Sequence, residues 1–478
     1  MAFNDLREFI EKAEEIGECK TVEGANWETD IGTLSELEAE QPNPRLLLFD
    51  KIEGYPGGYR VASTVFSSQR RTALALGLPL EATGTELVRA YKDKLKAGIK
   101  PIPPVEVETG PVKENIRTGE DVNLYDFPVP KWHELDGGRY IGTADCVIVR
   151  DPEEDWVNFG TYRVQVQDKA TTTIRIAPSR DGYIIAKKYW ERGMPCPTAV
   201  SCGQEPLLFA AANWRRVPWG VSEYDFAGGL GNKPIQVTRG VTTDLPIPAT
   251  AEIVLEGDLM SPEVETLTEG PFGEWPGYYN GPFQEPVFHV KSILHRNNPI
   301  IQGAPPSRFP SVWTLGGHLQ KAAVLWNELE VQMPGVRGVR MVEDASLHTM
   351  VVISLKQEFE GHAKRAALLA VGSSATTFCI RFIIVVDEDI DIFSNSELLW
   401  ALGTRCDPES AIDIIHGTFG LPGVAWESPE MRRIGTSAQS AAIILACKPY
   451  HWIKEFPPAI KSSPERLEET RQKWAHLW

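Results

Sequence analysis

The chain has 478 residues, 42% of them apolar and 24% charged, which is the composition of an ordinary globular protein with room for two or three domains. A formal net charge of -17 argues against a nucleic-acid-binding surface, and no apolar run approaches the ~20 residues of a membrane span. Seven cysteines without a C-x-x-C pair, and a start with no basic-then-apolar leader, point to reduced thiols in the cytoplasm.

From the N-terminus, Leu6, Phe9, Ile10, Ala13 and Ile16 recur at helical spacing, with Asn4 as the expected N-cap and Gly17 as the stop. Strands are expected at Arg45 to Phe49 and Tyr59 to Thr64, and helices at Arg70 to Leu76 and Thr85 to Leu95, giving a small α/β unit over residues 1–105. The proline-punctuated stretch from Lys100 to Pro104 marks its end.

Residues 106–312 read as a β-rich domain, barrel-like, with strands at Asp145 to Arg150, Tyr162 to Gln167, Thr171 to Ile176, Glu252 to Leu255 and Val287 to Ile293, and a helix from Gly182 to Arg192. Leu315, Leu319, Ala322, Ala323, Trp326 and Leu329 predict a connecting helix over 313–334, halted at Pro334. A strand–helix–strand unit follows over 335–450 (Thr349 to Leu355, Phe359 to Val371, Phe378 to Val386), and Ser394 with Glu397 forms a capping-box pattern before another helix. Residues 451–478 read as a polar helical tail.

Chemistry concentrates in three stretches. In Glu269-Gly270-Pro271-Phe272-Gly273-Glu274 two carboxylates flank a sequence that fits neither a helix nor a central strand. The backbone must turn there, which can bring both acids to one point. Trp275, Tyr278 and Tyr279 follow, and a partly dry pocket would raise a carboxyl pKa enough for it to donate a proton. A solvated surface turn is the other reading. In Asn158 to Gln167, alternation puts Arg163, Gln165 and Gln167 on one face, opposite Tyr162, Val164 and Val166. An inward arginine calls for a carboxylate partner, whereas an outward one needs none. Glu223, in Gly220 to Asp225, adds another acid beside small residues; Asn, Asp and Glu oxygens together would suit Mg²⁺ or Mn²⁺, and a plain loop acid is the other reading. Gly228-Gly229-Leu230-Gly231 lacks the context of a dinucleotide fingerprint and reads as a turn, and His133 reads as a loop histidine.

Together with Pro248 to Gly257, Asp389 to Ile392 and Leu399 through Arg405, these stretches resemble the UbiD family of prenylated-FMN-dependent decarboxylases, in matching order along nearly the whole chain. The resemblance implies an α+β multidomain fold: an N-terminal α/β segment, a split β-barrel flavin-binding domain, a linking helix and a C-terminal α/β oligomerisation domain. It implies prenylated FMN, Mn²⁺ (or Mg²⁺) and K⁺ as cofactors, and a flavin prenyltransferase as supplier. It also implies a homodimer or homohexamer, and the reversible release of CO₂ from an aromatic, heteroaromatic or α,β-unsaturated acid. Position by position, Arg163, Glu269 and Glu274 match the catalytic set, with Glu274 as proton donor and Arg163 orienting the carboxylate. Asn158 and Glu223 match metal ligands, Thr161 and Tyr162 fall on the cofactor-binding segment, and Arg433 falls where a phosphate-facing lysine is common. The usual histidine ligand is missing: Asp181 stands at its position (Ser179, with a different gap), either as a replacement ligand or as a cap of the following helix. With Asn158 and Arg163 five residues apart, their convergence requires a bulge or break near Gly160. Two other readings are a non-catalytic cofactor-holding subunit, which has no need of all three catalytic residues, and a metal-dependent hydrolase, which leaves the paired glutamates unexplained.

Overall fold

Apolar residues one helical turn apart bury the first helix, Leu6–Glu15, through Leu6, Phe9, Ile10 and Ala13. The computed structural model describes residues 3–214, 217–308, 314–346, 349–376, 379–420, 425, 428, 430 and 438–477. The cap of this helix is Asp5, not Asn4: Asp5 has the extended backbone of a cap and its carboxylate accepts the Glu8 N–H at 2.9 Å. Asn4, one residue earlier, donates to the Glu8 carboxylate instead. The strands Cys19–Glu23, Leu46–Asp50 and Arg60–Ser63 form a sheet whose fourth strand, Ile300–Gln302, returns from far along the chain.

The middle of the chain builds a ten-stranded sheet, running from Tyr140–Gly142 through Val164–Val166, Thr171–Ile174, Phe283–His295, Ile253–Leu259, Cys196–Cys202 and Cys146–Arg150 to Val157–Gly160. Thr266–Glu269 and Asn115–Thr118 pair with the long strand Phe283–His295 outside that path. The two ends of the path are joined directly by sequence: the chain leaves Val157–Gly160 and, three residues later, enters Val164–Val166. Four residue steps span at most about 14 Å, so the sheet must curl until its ends nearly meet. It is a split barrel. Its interior holds Val147, Val149, Val164, Ile174, Val200, Leu255 and Ile293, all buried.

The glycine-rich stretch expected as a turn is instead the last turn of a helix, Glu223–Gly231, closed by Asn232 in the left-handed conformation. Its glycines serve close packing: a Cβ on Gly228 would come within 2.5 Å of the Ile102 carbonyl oxygen, and one on Gly229 within 2.3 Å of that of Lys100. A contact partner more than a hundred residues away leaves no local trace in the sequence.

The connecting helix, Thr314–Gln332, buries Leu319, Ala322, Ala323, Trp326 and Leu329, with Lys92 from the N-terminal helix Gly84–Lys96 lying 4.9 Å from the Trp326 ring centre. The C-terminal domain is a five-stranded sheet with a parallel centre, Met350–Leu355, Phe382–Asp387 and Ala438–Ala446, and antiparallel edges. Helix His362–Val371 covers one face and Asn395–Arg405 the other, so Ile383 and Val385 enter one core while Ile384 and Val386 enter another. Burial on both faces is why these strands are continuously apolar. Half of the expected capping box forms: Ser394 accepts the Glu397 N–H, while the Glu397 carboxylate reaches the Asp391 N–H instead of that of Ser394.

Candidate active site

Arg163 sits at the end of the crossing between the two barrel edges, and the alternation after it holds. Arg163, Gln165 and Gln167 all reach the segment Thr268 to Gly270: Arg163 to the Glu269 carboxylate, Gln165 Oε1 to the Gly270 N–H at 2.9 Å, and Gln167 Nε2 to the Thr268 carbonyl at 3.0 Å. Glu269 ends the strand Thr266–Glu269, and Phe272–Gly273 pairs back on Tyr279–Asn280, forming a small hairpin with Glu274 at its turn. The turn brings both acids onto one guanidinium. Glu269 accepts from Nε and Nη2 of Arg163 at 2.7 and 2.8 Å, and Glu274 accepts from Nη1 at 2.5 Å.

The Glu269 side chain is fully buried, that of Arg163 is 10% exposed and that of Glu274 is 23% exposed. Burial alone would pull the Arg163 pKa down, but the charges of Glu274 and Glu269 outweigh it and hold it above its ordinary value. Tyr140 completes the group: its hydroxyl donates to Glu269 at 2.8 Å and its ring lies 4.1 Å from that of Phe272. Burial, reinforced by the Glu269 charge, keeps this phenol protonated far into the alkaline range. Tyr140 could not be read from the sequence, because its partner lies 129 residues away. Gln165 could, since it shares the face of Arg163.

The segment Trp132 to Gly138 clamps the hairpin. Gly137 N–H donates to the Pro271 carbonyl at 2.8 Å, the Leu135 N–H to the Tyr279 hydroxyl at 3.2 Å, and the His133 ring packs edge-on to Phe272 and Tyr279. His133 is therefore a packing residue of the hairpin that carries Glu274, more than the bland loop position expected of it.

A second cluster lies where the strand Val157–Gly160 meets the start of helix Glu223–Gly231. Glu223, first residue of a helix that Ser222 caps by accepting the Tyr224 N–H, takes the Asn158 Nδ2 at 2.9 Å and the Phe159 N–H at 2.8 Å. Burial pushes the Glu223 carboxyl up to about 8, and the neighbouring Asp181 charge adds to the rise. Burial likewise raises Asp181, against the pull of Arg180. Asp181 is the first residue of the helix Asp181–Trp190; the cap position belongs to Arg180, so Asp181 is not the cap. The oxygen Oδ1 of Asn158 is buried without a hydrogen-bond partner. An orphaned acceptor beside two carboxyls that burial has made hard to ionise fits a hard cation, whose charge would restore both to carboxylates. Among the described residues no three His, Cys, Asp or Glu side chains converge, so a metal here would rest on two carboxylates and an amide. Thr161 and Tyr162 lie in the crossing between the two clusters, with Tyr162 buried beneath the Arg180 guanidinium. Arg433 lies outside the described residues.

Three family models match the chain in order: the N-terminal domain of 3-octaprenyl-4-hydroxybenzoate carboxy-lyase over residues 10–91, its Rift-related domain over 104–309 and its C-terminal domain over 314–429. A phenolic acid decarboxylase of Bacillus subtilis is 32% identical over 440 residues, covering 88% of this chain and 89% of that protein. A pyrrole-2-carboxylic acid decarboxylase of Pseudomonas aeruginosa is 32% identical over 441 residues, covering 88% and 85%. Among solved structures, the UbiD-class enzyme HmfF from Pelotomaculum thermopropionicum in complex with FMN aligns with a TM-score of 0.86 at 28% identity, covering 98% of this chain and 100% of that one. An evolved dimeric form of the same enzyme in complex with prFMN aligns at 0.82 and 28%, covering 98% of each chain. The chain belongs to the UbiD family and is a carboxy-lyase of that type, with the family's three-domain mixed α/β architecture.

Proposed function

We propose that this chain catalyses the reversible, non-oxidative decarboxylation of an aromatic or heteroaromatic acid, with prenylated FMN as cofactor and a divalent cation, Mn²⁺ or Mg²⁺, held by Asn158, Glu223 and Asp181. The observation that carries the reading is the buried guanidinium of Arg163 gripped by Glu269 and Glu274. The similarity to flavin-binding UbiD-class structures supports the cofactor, and the relatives named as phenolic and pyrrole-2-carboxylic acid decarboxylases support the substrate class.

Prenylated FMN supplies the electron sink for the charge that leaving CO₂ deposits on an sp² carbon. The protein's residues do the rest. A guanidinium has five N–H donors, and the two glutamates occupy three of those on Arg163. The remaining N–H on each of Nη1 and Nη2 orient the substrate carboxylate. Glu269 fixes Arg163 bidentately and is itself fixed by Tyr140. Glu274 delivers the proton to the carbon after CO₂ departs, and its partial exposure lets solvent reprotonate it. High CO₂ drives the same steps backwards. K⁺ beside the flavin phosphate, a flavin prenyltransferase as supplier and assembly into a homodimer or homohexamer through the C-terminal domain complete the reading, as does a division of the chain at residues 105, 312, 334 and 450.

Co-expression with a flavin prenyltransferase, followed by absorbance and mass spectra of the purified chain, tests the cofactor. Headspace CO₂ from a panel of aromatic and heteroaromatic acids tests the reaction. A colourless protein that saturates with metal alone and releases no CO₂ would overturn the proposal.

A further inference from the structure

The barrel's gap is bridged twice by crossings of equal length. Thr143 to Asp145 lead from the strand Tyr140–Gly142 to Cys146–Arg150, and Thr161 to Arg163 lead from Val157–Gly160 to Val164–Val166. One side chain joins the two crossings. Asp145, 1% exposed, accepts the Thr161 hydroxyl on Oδ1 at 3.3 Å. Its other oxygen, Oδ2, is buried without a hydrogen-bond partner. The carboxyl is wedged tightly: a Cβ built on Gly142 would stand 2.9 Å from both its Cγ and its Oδ2.

A buried carboxyl with an orphaned oxygen is destabilising, and an apolar side chain of similar size would carry no such cost. The residue is therefore doing something that packing alone does not require. We propose that Asp145 is a positioning residue of the active centre, its carboxyl stapling the two crossings so that Arg163 is set at a fixed place relative to Asn158 and Glu223. The inference rests on the decarboxylase reading above, which makes those three residues parts of one site. The staple works as a neutral acid. Among the described residues no cation offsets the burial that pushes this carboxyl up to about 8, and accepting from Thr161 needs only a carbonyl-type oxygen.

Asp145→Asn keeps an acceptor oxygen and the shape; Asp145→Val keeps the approximate shape and deletes the staple. With Mn²⁺ present and FMN as the probe, Asp145→Val should retain the parental melting temperature, bind FMN roughly tenfold more weakly, and lose kcat on the order of 100-fold once loaded with prenylated FMN, the scale of a small misplacement of reacting groups. Asp145→Asn should stay within about threefold of the parent in both, a rescue expected of a neutral staple. Parental kcat and FMN affinity in a folded Asp145→Val, or an Asp145→Asn as impaired as the valine variant, would overturn the assignment. Should the valine variant not fold, Thr161→Val removes the staple's hydrogen bond from the other crossing, and parental kcat there overturns it equally. A parent that takes up no flavin overturns the decarboxylase reading itself, whereas a loaded parent matched by Asp145→Val overturns only the role of Asp145.

Discussion

Asn158 and Arg163 are five residues apart in sequence, yet they belong to opposite ends of the barrel sheet's strand path. Asn158 lies in Val157–Gly160, paired with Cys146–Arg150, and Arg163 directly precedes Val164–Val166, paired with Tyr140–Gly142 and Thr171–Ile174. In one continuous strand their parity would place them on opposite faces. The strand ends at Gly160 and the next begins at Val164, so that parity does not carry across the crossing. This break is the irregularity the sequence demanded, and Gly160 permits it: a Cβ there would lie 2.6 Å from the Tyr162 hydroxyl, which folds back across it.

Glu274→Gln should leave the fold and bound flavin intact and lower kcat by at least about 100-fold, since the amide cannot deliver a proton. Arg163→Lys should fail comparably, because a single ammonium cannot engage Glu269 bidentately and still present two N–H groups to a substrate. Flavin absorbance, circular dichroism and steady-state CO₂ release on the same preparations separate the effects. Turnover within a few fold of the parent for Glu274→Gln would remove it from the proton-donor role.

The clamp on the Glu274 hairpin has a weak point at Gly137. A Cβ there would meet the Gly270 carbonyl oxygen at 2.1 Å and its carbon at 2.4 Å, both backbone atoms of the segment between Glu269 and Glu274. Gly137→Ala must therefore displace the hairpin, and loss of kcat should exceed what any drop in melting temperature explains. His133→Ala, which removes only ring packing against Phe272 and Tyr279, should cost less. Equal kcat in Gly137→Ala and the parent would show that the hairpin does not need this contact.

Asp181→Ala tests the oxygen-ligand set. With the cap role excluded by the helix starting on Asp181 itself, its loss should reduce bound Mn²⁺ at equilibrium and weaken flavin retention. Asp181→His should restore metal and tolerate softer ions such as Zn²⁺ better than the parent does. Metal content by mass spectrometry decides, and unchanged stoichiometry in Asp181→Ala removes it from the ligand set.

What could be read in the sequence follows the range of the interactions. The Arg163, Gln165 and Gln167 face was legible because alternation is local, and the convergence of Glu269 and Glu274 because Gly-Pro-Phe-Gly must turn. The continuous apolar runs of the C-terminal sheet announced burial on both faces. Tyr140, Asp145 and the clamp at Gly137 were not legible, because each acts on a segment that only the closed barrel brings near. Gly228 and Gly229 misled for the same reason: they answer to Ile102 and Lys100, not to a turn. Asn4 and Asp5 both suit an N-cap, and only the backbone distinguishes them.

The C-terminal motif beginning at Asp389 also resolves into an interaction. Asp389 receives Nη1 and Nη2 of Arg405 at 2.8 Å each, and Lys448 Nζ at 2.8 Å, while Asp387 takes a further bond from Arg405 at 3.0 Å. Burial pushes the Asp389 carboxyl up, but Arg405 and Lys448 outweigh it and bring it from an ordinary 3.8 to about 2. A carboxyl depressed in the folded state contributes stability that is fully present above its unfolded value and is lost as pH falls through its folded one. The contribution therefore disappears between about pH 4 and pH 2. Asp389→Asn should melt below the parent at neutral pH, leaving the buried Arg405 half-paired, and the two melting temperatures should converge across that acid window. Asp389 is partly exposed, so solvent screening keeps the gap small. Melting curves that stay parallel from neutral pH down to about 2 would show that the Asp389–Arg405 pair adds nothing to stability beyond its packing.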